Sequence, residues 1–558
     1  MADPKNPQQQ DDQPVNLHGV IAQQNDLLQK LHATFGAEEE EERQRRLVKL
    51  FLRGASLIAL AISGLIGSWE LGAYLKESWE IDQLAKGYAK VGVELYYEEN
   101  NADVARKFLG KALELAPDDT DYLYMDAYID GMAAVRGLFN LDRPYTADEL
   151  NAAHEALAKS VLLENQQPDS AEPYILRGQI YAALKDNDRA RDVLLKAVRL
   201  DPKNDFALMR LGVVEYNAGN KDSATSYMRK ALALNPGSKW VHLWNGIMAS
   251  DSGKTDQAMT HFDKALAVDP RFDLAHYNIA WAFLGQKPKA YGKAEAAFRK
   301  ALDLNPNYKQ AFYGLGMVFG YQSEYKVARE YLTKALEIDA QFLTALKWRG
   351  IVNEELGNLD EALVDFSAAI SIDPAQADLY VRRSRALTKG EKFTDALADL
   401  QFAKQFDPKN ERIELYLSRI YTKLGQADAA MDSVNNALKL RTGYAEALAH
   451  RATLHLANSA PDKAVADYQT AIDNTSYRQD RFYLKIGEIR TAQKAFDLAV
   501  AALREAREIN PANAAAWKAE TTALLELGNK GGAANALEQY VRLRPKDPDI
   551  KTLKSRQC

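Results

Sequence analysis

AEPYILRGQIYAALKDNDRARDVLLKAVRLDPKN, Ala171–Asn204, is the clearest copy of a unit that returns along most of the chain. Asp205–Ser238 repeats its plan 34 residues on, and Lys239–Phe272 repeats it again. A fixed period of this length marks stacked supersecondary units rather than one closed core. Tyr174, Gly178 and Tyr181 share one face of a first helix, and Ala190, Leu194 and Ala197 share one face of a second. Lys185–Asp188 is the polar turn between them. Asp201-Pro202 ends the second helix, because the residue before a proline is pushed out of the helical region. Gly178 and Ala190 stand where the two helices must approach closely, and Ala197 leaves room for the next unit. A helix pair this short cannot bury its own apolar faces, so the stack itself is the fold.

The pattern resembles the tetratricopeptide repeat (TPR). Helix B of that family carries two alanines seven apart and a closing proline. The signature appears here as Ala105/Ala112/Pro117, Ala224/Ala231/Pro236, Ala258/Ala265/Pro270 and Ala294/Ala301/Pro306. It returns as Ala362/Ala369/Pro374, Ala396/Ala403/Pro408 and Ala499/Ala506/Pro511. Copies without the proline carry Ala328/Ala335, Ala430/Ala437 and Ala464/Ala471. A last copy has Trp517, Ala533 and Pro545, with Tyr540 at the second alanine. The resemblance implies an all-α, right-handed superhelical solenoid of about 13 helix-turn-helix units, placed within residues 76–547. One unit, at about 120–170, is degenerate and carries an insertion, Leu138–Tyr145; a smaller insertion is Gln286–Gly292. The family is defined by packing, so it says little about which partner is bound.

The 558 residues carry a formal charge of −6, without the basic stripe of a nucleic-acid binder. The only cysteine, Cys558, excludes an intramolecular disulfide and a cysteine-based zinc site. Residues 1–15, rich in Gln, Asp and Pro, read as a disordered tail. Residues 16–53 read as a juxtamembrane helix, with Glu39–Arg43, Glu41–Arg45 and Glu42–Arg46 as i,i+4 pairs. Gly54–Trp69 is uncharged, GASLIALAISGLIGSW, and with its flanks predicts a single membrane-spanning helix over 54–75. Arg53, Trp69 and Trp79 are then its interface residues. Arg43, Arg45, Arg46, Lys49 and Arg53 lie before the span, whereas Glu70, Lys76, Glu77, Glu80 and Asp82 lie after it. The positive-inside rule therefore puts the N-terminus in the cytoplasm and the repeats outside, periplasmic in a Gram-negative cell. Residues 548–558 read as a polar tail.

In TPR proteins the second, fifth, sixth and ninth positions of helix A tend to face a concave groove. Trp240 and Trp244 are second and sixth, Tyr277 and Tyr313 fifth, Trp281 ninth and Trp348 sixth. Lys347, Arg382, Arg385 and Arg419 continue the row with basic residues. Exposed aromatic anchors are the usual centres of recognition, so this row is the expected partner-binding groove. It suits an extended, partly acidic peptide segment, with a glycan stacked on the rings as the alternative ligand. The two-carboxylate clamp by which some relatives hold chaperone C-termini is absent: Glu94 follows Lys90, and Ile351 follows Lys347, where an asparagine is needed. No HExxH, GxSxG or P-loop pattern is present, and His450 and His455 are five apart and off one helical face. The expectation is a scaffold, not an enzyme, with no cofactor and no metal. It would recruit other proteins, membrane or envelope subunits by analogy with anchored bacterial TPR proteins, in a secretion, polysaccharide-export or motility complex. A glycan-binding periplasmic adaptor and a cytoplasm-facing receptor are the alternatives.

Overall fold

The computed structural model describes residues 79–92, 102–138 and 143–557. Among them are 27 helices and no strand. Residues 1–15, 16–53 and 54–75, with Arg53 and Trp69, lie outside the described residues. Trp79 is inside and exposed, at the start of α1 (79–92). Among the described residues no helix is long and apolar enough to cross a membrane.

The chain divides into two compact units. The described part of the first comprises 79–92 and 102–136 with 151–180. It holds α1, α2 (Ala102–Leu115) and most of α3 (Thr120–Leu138) and α4 (Ala147–Gln166). Its core gathers Ala85, Ala105, Leu109, Ala112 and Ile129. The degenerate repeat buries small residues at Ala127, Ala153 and Ala156 and adds ion pairs to them. Lys159 on α4 binds Asp126 and Asp130 on α3, and Arg177 binds Glu164 at 2.7 Å.

The second unit takes in residues from 143–150 and 181 onward. The described end of the first insertion belongs to it and is fastened down. The Arg143 guanidinium forks onto Glu149, and the Tyr145 hydroxyl donates to the Ala183 carbonyl at 2.8 Å. The first helices of its repeats are α7 (Asp205–Asn217), α9 (Lys239–Asp251), α11 (Asp273–Gly285), α13 (Lys309–Tyr321) and α15 (Leu343–Leu356). They continue as α17 (Ala377–Lys389), α19 (Glu411–Lys423), α21 (Ala445–Ala457), α23 (Gln479–Ala492) and α25 (Ala514–Glu526). Each packs on the helix that follows it, and that helix packs on the next first helix. The signature alanines explain the close approach: Ala224, Ala231, Ala258, Ala265 and their equivalents through Ala506 are fully buried. The glycine of the first helix does the same work. A Cβ built on Gly350 would stand 2.7 Å from the Phe366 ring. From 171 onward the turn inside every repeat but that of α11 takes the left-handed region, with Gly219, Gly253, Gly357, Gly425 and Gly528 there. Lys185, Ser323, Glu391, Ser459 and Lys494 hold the same turn position without that freedom.

Three repeats add an arginine strap at the seventh position of the first helix. Arg349 on α15 bonds Asp365 at 2.7 Å and Thr333 of the preceding repeat at 3.3 Å. Arg383 on α17 bonds Asp399 and Ser367, and Arg451 on α21 bonds Asp467 and Asn435. The acceptors Asp365, Asp399 and Asp467 are buried, so each strap satisfies a carboxylate that would otherwise be stranded. The α19 repeat has Leu417 and Ser433 at these places and no strap.

The C-terminal end differs from the expected polar tail. Asp549–Gln557 forms a helix, α27, that buries Ile550 and Leu553 against Leu537 and Tyr540. This accounts for Tyr540 replacing alanine: the larger ring meets Ile550 and Leu553 of this helix.

Candidate functional site

The aromatic row is present, but its rings are spent largely on other rings of the stack. Trp240 stands edge-on to Phe272 with centroids 4.9 Å apart and is 40% exposed. Trp244 is half-buried against the Leu208 and Val241 cluster. Tyr277 lies 5.0 Å from Tyr308, 5.9 Å from Phe298 and 6.2 Å from Trp281. Trp281 meets Phe298 edge-on at 5.7 Å, Tyr313 meets Phe342 and Trp348 meets Tyr321. Burial pushes the Tyr277 phenol up. Of the six row residues only Trp240 is exposed, and stacking on a saccharide needs a free ring face. The second insertion closes onto this network: Lys289 sits 3.5 Å from the Tyr321 ring centre.

The basic residues beyond the row divide in two. Lys347 and Arg382 both bind Asp378, at 2.6 and 2.8 Å. Burial pushes that carboxyl up, but the two cations outweigh it and hold it below the usual range. Arg385 shares the buried Glu354 with Lys389. Arg419 is exposed, lies over the Tyr416 ring at 5.8 Å and makes no ion pair among the described residues.

Arg419 is also one wall of a concavity of about 960 Å³ that runs over α19, α21, α23 and α25. Its lining falls on the groove positions of the family: Glu446, Ala449, His450 and Thr453 on α21, Arg481, Leu484 and Lys485 on α23, Ala515 and Lys518 on α25. Small residues make the space, since Ala445, Ala449, Ala512, Ala514 and Ala515 line it. The loop 475–478 forms its rim. There Tyr477 is 64% exposed, and Arg478 lies 4.8 Å over its ring with φ +60°. His450 is half-buried beside Arg419; burial and that neighbouring charge pull its pKa down to about 4. Sequence reasoning stopped at Arg419 and missed this stretch. The available signals were Ala449 and Ala515 at groove positions, and Thr475-Ser476-Tyr477-Arg478 where most copies have Asp-Pro or Asn-Pro. Among the described residues no group of three or more His, Cys, Asp or Glu side chains is placed to hold a metal ion.

Family models described as tetratricopeptide repeat match residues 171–204, 206–238, 246–310, 313–377, 450–514 and 490–556. Together these matches span more than half of the chain. The chain belongs to the tetratricopeptide repeat family. This TPR chain is 30% identical over 195 residues to tetratricopeptide repeat protein 6 of Homo sapiens, covering 34% of this chain and 37% of that one. Over 75 residues it is 36% identical to a UDP-N-acetylglucosamine–peptide N-acetylglucosaminyltransferase of Giardia intestinalis, 13% of this chain and 5% of that enzyme. The TPR chain thus spans well under half the length of the relatives it matches. Among solved structures it is similar to the APC/C hetero-tetramer Cut9–Hcn1, with 15% identity, a TM-score of 0.38, and 85% and 96% of the two chains covered.

Proposed function

We propose that this TPR chain is a non-catalytic membrane-anchored adaptor, which recruits partner proteins through its concave face to assemble or position a cell-envelope complex. The observation that carries the recruiting role is the concavity over α19–α25, lined at the groove positions of successive repeats. A surface built by repetition presents side chains along a line, which suits an extended partner segment. The anchor rests on the sequence of 54–75 and on the charge asymmetry around it. Confinement to a bilayer raises the effective concentration of the groove for membrane partners.

Two measurements test the reading. A photo-crosslinking residue is placed in the full chain at Thr453, in the groove, or at Val364, exposed on the outer helix of another repeat. Discrete protein adducts are expected from the first and not the second; equal labelling from both refutes the groove. Reporters active only outside or only inside the cytoplasm, fused after Cys558, test the anchor. Activity outside is expected, and activity inside would make the chain a cytoplasm-facing receptor.

A further inference from the structure

The concavity over α19–α25 stands apart from the aromatic row in charge. Arg419, Arg478, Arg481 and Arg544 line it, and none makes an ion pair among the described residues. Lys485 and Lys518 also line it, paired at its edges with Glu488 and with Asp549. Of its three carboxylates, two are already engaged. Asp480 is buried and accepts hydrogen bonds from the Asn510 and Asn513 amides, both at 2.9 Å. Asp547 accepts from the backbone of Asp549 and lies 4.0 Å from Lys518. Asp480 and Asp547 keep their charge, and Asp547 acts on Arg544, so three carboxylates face six cations around the hollow. Upstream the same fold neutralises its groove cations, as Asp378 and Glu354 do for Lys347, Arg382 and Arg385. Leaving arginines unmatched around a hollow is the arrangement that an incoming carboxylate completes, because a guanidinium binds carboxylate through a planar fork.

The shape says what carries the carboxylates. The cations are spread over several repeats and do not converge on one point, as a single small anion would need. Four neighbouring helices at the usual 8–10 Å spacing cover roughly 25–30 Å, the length of about eight extended residues. The floor between the cations is apolar and low, at Ala449, Ala515 and Leu484. The exposed Tyr477 ring at the rim offers one aromatic contact, and Arg478, which backs it, holds a left-handed backbone that non-glycine residues rarely take.

We infer that the concavity over α19–α25 binds an extended acidic segment of a partner protein, about eight residues long, with carboxylates seated on Arg419, Arg478 and Arg481 and an apolar side chain against Leu484 and Tyr477. This rests on the groove reading above and narrows it to one stretch and one chemistry.

The test is fluorescence anisotropy with the purified full chain in non-ionic detergent. The probe is a fluorescein-labelled octapeptide alternating glutamate and leucine, and its control carries glutamine in place of glutamate. The glutamate peptide is expected to bind, at least tenfold tighter than the control, with affinity falling as salt rises. The double variant Arg419→Glu/Arg481→Glu should weaken it at least tenfold, and Arg419→Gln/Arg481→Gln by less. Both side chains are exposed and unpaired, so circular dichroism should show the helices intact. Lys326→Glu, at an exposed side chain on the outer helix Tyr325–Ile338, should leave binding unchanged. Equal binding of the two peptides, no binding of the glutamate peptide, or full retention in the double variants overturns the inference. Loss on Lys326→Glu or Trp240→Ala alone also overturns it, while the groove reading survives. The crosslinking comparison of Thr453 with Val364 decides that reading separately.

Discussion

Gly350 shows how little room single residues leave in this packing. A Cβ there meets the fully buried Phe366 ring on the facing helix. Gly350→Val should therefore cost about 1–3 kcal/mol through overpacking, read as a lower urea midpoint with an unchanged slope. His450 makes the opposite kind of statement. Its pKa in the fold is about 4 against an ordinary 6.5, so the folded state binds fewer protons than the unfolded one between those values. Its stabilising contribution is complete above pH 6.5 and is lost as pH falls from 6.5 toward 4. Burial lowers His261, His276 and His455 in the same direction. Urea midpoints should drop between pH 7 and pH 5, and His450→Gln should flatten that drop in part. The aromatic row was legible in the sequence as a face, because position in the repeat fixes direction. Its burial was not, because the rings that cover it, Phe298, Tyr308 and Phe342, come from later helices or turns.

The helices themselves were the most legible level. Paired alanines seven apart and a closing proline mark the second helix of a repeat, and the full burial of those alanines is the reason they recur. The turns repeat as strictly, and half of them carry strain. Ser323→Gly and Lys494→Gly put glycine where φ is 63° and 60°. Each should gain about 0.5–1 kcal/mol, the left-handed penalty less the entropy cost of glycine. A rise in melting temperature for each, adding in the double variant, is the measurement. The helix α27 was invisible to the same reasoning, because Asp549–Gln557 carries no alanine signature and only Ile550 and Leu553 face inward. Truncation after Lys546 should expose Leu537 and Tyr540. Hydrogen exchange should then accelerate in α25 and in the Lys530–Leu543 helix that follows it, and stay unchanged in α7–α15, since repeats couple to their neighbours alone.

At the scale of the molecule, periodicity both revealed the architecture and concealed the site. The concavity over α19–α25 arises where the pattern lapses, at Ala449, Ala515 and the Thr475–Arg478 turn, and a search for matches passes over lapses. The same logic applies to the arginine straps. Three repeats tie themselves to the one before through Arg349, Arg383 and Arg451, and the α19 repeat does not. Held by its two ends and stretched in an optical trap, such a chain should lengthen in discrete steps, each releasing one repeat. With 34 residues at about 3.6 Å each, a step is roughly 12 nm of contour. The α19 repeat, unstrapped between the strapped α17 and α21 repeats, should release before those two, and it borders the hollow where the acidic segment is proposed to sit.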